Sequence, residues 1–219
     1  MRRLSKHLQW IVLAGLILFV TSVLAVAINS LKYGFHIDYT ISRYVGLETW
    51  SAIVFGLGNV MVAYLSFRFL MWIQVRGKVP KWLMLILAGI FVVGLLGLSA
   101  CPMGYFDEPG SPYGSSVPSF IHNRCSRIMF FSMLVLAAVF AAKLKLSKKM
   151  QIALAAYIIY GLFCVLAFLG HVGWFGQGIL VFESSYIFGF FGVCLGCGKE
   201  MGNKKVKKEE NGRTEGAKQ

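Results

Sequence analysis

LQWIVLAGLILFVTSVLAVAINS, residues 8–30, decides what kind of chain this is. A helix rises about 1.5 Å per residue, so about 20 apolar residues cross a hydrocarbon core roughly 30 Å thick, and this run is long enough. The residues in front of it, MRRLSKH, form a short basic head. The rival reading is a cleaved signal peptide, with Ala25-Val26-Ala27 as the small-residue cleavage site. The run is long for a signal, and we read it as a retained span. Either reading leaves the rest of the topology unchanged.

Five more apolar runs follow, each ended by a charged or glycine- and proline-bearing break. With the first, the expected spans cover about 8–30, 50–73, 82–100, 119–146, 150–171 and 179–197. Composition agrees: 57% of the residues are hydrophobic and 14% charged, with a mean hydropathy of +0.68. The expected fold is therefore all-α and integral to the membrane, a six-transmembrane-helix bundle over 1–198. Residues 199–219 are rich in Lys, Glu and Gly with almost no apolar content, and are expected to be a disordered tail.

The formal charge of +13 does not point to nucleic acid, because the basic residues flank apolar spans and form no patch on a polar surface. It is a topology signal. Of 22 Lys and Arg, seventeen fall in the head, the second connection, the fourth connection and the tail; four fall on the alternate side. Arg68 is the remaining one, near the inner end of the second span, where it can snorkel. Cytoplasmic loops carry the excess of Lys and Arg, so both termini are expected in the cytoplasm, in a multi-pass protein of the cell membrane. The tail cluster Lys204, Lys205, Lys207 and Lys208 can also contact anionic lipid headgroups.

That orientation collects His36, Asp38, Glu48, Asp107, Glu108, His122, His171 and Glu183 at the external pole. The stretch CPMGYFDEPGSPYGSSVPSFIHNRCSR, residues 101–127, is central to it, with four of the five prolines and two of the five cysteines. His171 and Glu183 are joined by a short glycine-rich turn, and His122 begins a helix at the same membrane depth. We therefore expect His122, Glu183 and His171 to converge, with Asp107 or Glu108 overhead, as a candidate ligand-binding pocket. Asn59, inside the second span, needs a partner in lipid; it reads either as glue between helices or as a ligand contact.

Other chemistries have weaker support. No two histidines have i, i+4 spacing, so no metal ligand set is assigned. A hydrolase would need Ser126 or a loop serine beside His122 and Asp107, and no nucleophile elbow accompanies them. No histidine pair lies deep within two spans to hold haem, and no cofactor is implied. Inverted repeats and midplane ionisable groups, the marks of a transporter, are not evident. Cys101 and Cys125 bracket the external loop and are expected to form a disulfide. Cys194 and Cys197 have redox-motif spacing at a helix end and read as packing residues.

Ile41-Ser42 with Gly46, then Gly56 and Asn59, Pro102, His122-Asn123, and the segment GILVFE from Gly178 to Glu183 follow one another in a recognisable order. In this the chain resembles an uncharacterised six-span prokaryotic family, domain-of-unknown-function family 998, itself similar in layout to DRAM-type (damage-regulated autophagy modulator) membrane proteins. Ser184 stands where that pattern would carry a basic residue after the glutamate. The resemblance implies six helices and no established activity. The functional expectation is a non-enzymatic binder of a lipid or small amphiphile at the external pocket. The alternative is a membrane-embedded, metal-assisted or acid–base enzyme acting on a lipid headgroup.

Overall fold

Local chemistry sets several of the helix ends. In the computed structural model, which describes residues 6–101, 116–169 and 177–216 (side chains over 6–101, 116–167 and 177–202), α1 spans Lys6–Tyr33. It stops at Gly34, whose φ of 86° is left-handed and whose N–H returns to the Ser30 carbonyl at 2.9 Å. A six-residue helix, α2 (Ile41–Gly46), lies in the polar connection that follows. Its N-cap is Thr40, whose hydroxyl accepts the Arg43 N–H at 3.1 Å.

The long helix α3 (Thr49–Gly77) ends at Lys78, which adopts left-handed φ 54°. The Gln74 amide fastens this turn by donating to the Val79 carbonyl at 2.9 Å. Next comes α4 (Lys81–Ala100), then α5 (Val117–Lys143), started by Ser116 as cap with Pro118 in the first turn. The last two are α6 (Lys148–Leu169) and α7 (Ile179–Gly216). No strand occurs among the described residues.

Six of these helices are long and apolar enough to cross a membrane: α1, α3, α4, α5, Lys148–Ala167 of α6 and Ile179–Gly202 of α7. Consecutive long helices pack side by side, and α7 returns to α1, closing a ring; α7 also touches α3 and α5. The core holds Tyr44, Phe69, Phe91, Phe140 and Phe190, all fully buried. Large apolar side chains also face outward, among them Leu16, Phe19, Leu57, Val93, Ile159 and Leu166. Helices apolar on every side suit a lipid surround and not an aqueous one.

Helix contact depends on small residues. A Cβ at Gly94 would stand 3.0 Å from the Met129 backbone nitrogen and 3.1 Å from the Cys125 carbonyl oxygen. The α4 and α5 backbones therefore touch only because Gly94 has no side chain. At the C-terminus α7 continues as helix to Gly216. Nothing in GKEMGNKKVKKEENGRTEG is a proline, Lys and Glu are good helix formers, and extending a helix already nucleated costs little. Glu200 also ties α7 to the α5–α6 connection, accepting the Ser147 N–H at 2.7 Å and the Ser147 hydroxyl.

Candidate functional site

The end of the bundle opposite Leu8 and Gly198 is built around α2. Tyr44 is fully buried there, and its hydroxyl accepts the His36 N–H at 2.6 Å while donating to the His36 carbonyl at 3.1 Å. Asn29 of α1 donates to the Tyr44 carbonyl at 2.8 Å and to the Ser51 hydroxyl at 3.2 Å. At the rim, Glu48 receives Lys32 and the Tyr33 hydroxyl, the latter at 2.6 Å. Those donors hold the Glu48 carboxyl below its ordinary range, the Lys32 ammonium contributing most. The 34–48 connection is thereby anchored over the helix mouths.

Beneath it lies a cavity of about 30 Å³, room for one or two water molecules. Its polar lining comes from five helices: Ser22 of α1, Ser42 of α2, Asn59 of α3, His122 and Ser126 of α5, and Glu183 of α7. The rest is apolar, including Phe55, Phe91, Met129 and Phe191. His122 lies in the second turn of α5 and Glu183 in the second turn of α7, whereas Asn59 is about 15 Å along α3 from Thr49. The cavity therefore runs from the helix ends toward the bundle's middle.

Two of these side chains also hold the structure together. Nδ1 of buried His122 lies 2.7 Å from the Cys101 carbonyl. A carbonyl can only accept, so Nδ1 carries the proton and the imidazole caps the end of α4. Oε2 of Glu183 accepts the Ile41 N–H at 2.8 Å, and the Leu180 N–H reaches the Ile37 carbonyl at 3.3 Å, so α7 is fastened to the start of α2. No Lys or Arg pairs with Glu183: the ion pairs among the described residues are Lys32–Glu48 and His36–Asp38.

Asn59 differs from both. It is completely buried, and neither its Nδ2 nor its Oδ1 has a hydrogen-bond partner. The Ser22 hydroxyl, also facing the cavity, is likewise unpartnered. An amide offers two donors and an acceptor, so whatever meets Asn59 must both donate and accept.

His122, Glu183 and Asn59 line one cavity. His171, Asp107 and Glu108 lie outside the described residues. Among the described residues, no three His, Cys, Asp or Glu side chains come together as metal ligands would. The Ser126 hydroxyl donates to the His122 main-chain carbonyl at 2.9 Å and not to its ring. The bridge expected between Cys101 and Cys125 is not formed; both are free thiols. The Cys125 sulfur instead fills the notch over Gly97, where an added Cβ would stand 2.3 Å from it. Cys194 and Cys197 are fully buried.

Sequence reading missed Ser22. The signal was there: Leu8, Ile11, Ala14, Leu18, Ser22, Ala25 and Asn29 are spaced three or four apart and form the buried stripe of α1, so its polar members had to face inward. It also missed α2, too short for hydrophobic periodicity to reveal. No model of a known protein family matches the chain, and neither characterised proteins nor solved structures yield a match.

Proposed function

We propose that this is a membrane-embedded binding protein whose internal cavity receives the neutral polar group of a lipid or small amphiphile, a hydroxyl or an amide. The observation that carries this is Asn59, a carboxamide sealed inside the bundle with donor and acceptor both open. A buried polar group without a partner is costly, so a partner is expected to enter. Hydroxyl and amide groups satisfy both halves of the carboxamide; a bare phosphate or ammonium satisfies one. The cavity of about 30 Å³ admits the polar group itself, with Phe55, Phe91 and Phe191 in its wall.

In this reading the cavity opens toward the outer leaflet of the cell membrane, and both termini are cytoplasmic, as the distribution of Lys and Arg indicates. The likeness to the family 998 layout is part of the same proposal and implies no established activity. The test is lipid extraction and mass spectrometry of protein purified in mild detergent. Wild type should carry a hydroxyl- or amide-bearing amphiphile at near-stoichiometric amount, and Asn59→Leu should lose it while folding normally. Retention of the same molecule by Asn59→Leu, or its absence from wild type, refutes the proposal.

A further inference from the structure

The opposite end of the bundle carries a second arrangement, built from different chemistry. Where α1 begins and α3 ends, the His7 imidazole stacks on the Trp72 indole (centroids 5.2 Å apart, planes at 13°) and meets Trp10 edge-on at 4.6 Å. The Arg68 guanidinium lies 4.8 Å from the Trp10 ring centroid and 5.7 Å from that of Tyr64, and Nη1 donates to the Tyr64 hydroxyl at 3.0 Å. Arg76 is close enough to act on His7 electrostatically, as Arg68 is. Exposed Lys6, Lys78 and Lys81 lie at the adjoining helix ends.

Among the described residues, no carboxylate answers these charges. Neither arginine is in an ion pair with a described residue, and Glu200, the acid described at this end, is held by Ser147. Of the five N–H donors on Arg68, a single one is satisfied by Tyr64. Nearby, the Trp72 indole nitrogen, which can only donate, and the His7 Nδ1 are buried without partners. Among the described residues, the face is thus rich in donors and positive charge and poor in acceptors.

Depth narrows the ligand. Arg68 is nine residues before Gly77, about 14 Å along a helix about 42 Å long, so α3 overhangs a 30 Å hydrocarbon core by roughly 6 Å at each end. That leaves the Arg68 Cα about 8 Å inside the core boundary, from where a snorkelling side chain can extend to the headgroup level, which indoles also favour. We propose that the α1–α3 face at this end binds a phosphate-bearing anion, the phosphate of an anionic phospholipid in the adjacent leaflet. Arg68 and Arg76 take its oxygens, and Trp10 and Trp72 flank it. Two guanidiniums with no acid paired to them among the described residues select a net negative headgroup over a zwitterionic one. This site is separate from the cavity around Asn59 and does not depend on it.

Native mass spectrometry of the full-length protein in neutral detergent tests the proposal, with dioleoyl phosphatidylglycerol and dioleoyl phosphatidylcholine supplied at equal concentration. Wild type should retain phosphatidylglycerol preferentially. Arg68→Gln and Arg76→Gln should each weaken that retention about fivefold, and the double variant should lose the preference. Arg68→Lys should keep part of it. A second readout needs no arginine variant: phosphatidylglycerol with brominated chains should quench tryptophan fluorescence more than the brominated phosphatidylcholine, and Trp10→Phe with Trp72→Phe should remove the difference. Three results would overturn the proposal: equal retention of the two lipids by wild type, an unchanged preference in a folded double variant, or displacement of the lipid by inorganic phosphate at equal concentration. The second would move anionic-lipid contact to other basic residues; the third would make free phosphate the ligand.

Discussion

The junction around Asn29 and the cavity around Asn59 lie about 12 Å apart along the same helix pair, and each contains an asparagine hidden from solvent. Asn29 holds the Tyr44 carbonyl and the Ser51 hydroxyl, and Ser51 in turn donates to the Val45 and Glu48 carbonyls. Asn59 holds nothing. Residue type and burial are the same, so neither explains the difference. Asn29 sits where a helix end and a short helix leave main-chain carbonyls without helical partners. Asn59 sits in mid-helix, where every neighbouring main-chain group is already satisfied. A buried amide acts as glue where loose backbone ends meet it, and away from them it is open to a ligand.

The largest expected effect follows from that contrast. Asn29→Leu should lower stability by about 2 kcal/mol, because the Tyr44 carbonyl and the Ser51 hydroxyl lose their donor inside the bundle. Thermal unfolding in detergent measures this, and a loss no larger than that of Asn59→Leu would break the comparison. Glu183→Ala should come next, at about 1.5 kcal/mol, through loss of the acceptor for the Ile41 N–H. Glu183→Gln retains an acceptor oxygen and should recover most of that loss; protease sensitivity of the 34–48 connection reports on the same contact.

Asn59→Leu should have the opposite sign. In ligand-free protein it should raise stability by about 1 kcal/mol, since it removes a buried group that has no partner. Destabilisation of ligand-free protein by this substitution would show that Asn59 is glue after all. The smallest effect concerns the rim. The folded-state Glu48 carboxyl is held below its ordinary value of 4.5, so its contribution is present above that pH and is lost as pH falls through the folded-state value. Wild type should therefore lose stability on acidification below about pH 4.5 slightly faster than Glu48→Gln, as seen in paired thermal scans at pH 6 and pH 3. Coincident profiles would remove Glu48 from the anchoring of α2.

Hydrophobic run length alone determined the six apolar helices, because crossing a hydrocarbon core requires about 20 residues whatever their neighbours are. The breaks at Gly77, Pro80 and Pro118 were equally legible, since glycine and proline act through their own backbone geometry. The grouping of His122 and Glu183 could be inferred from their similar depth at helix ends. Tertiary structure decided the rest. Whether Asn59 met a partner depended on which groups of α1, α5 and α7 faced it. Whether Cys125 reached Cys101 or the notch over Gly97 depended on how closely α4 and α5 approach. What Glu183 bonds depended on α2, a helix of six residues whose Ile41 N–H it accepts. These outcomes rest on distances between segments far apart in the chain, and composition and periodicity carry no information about such distances.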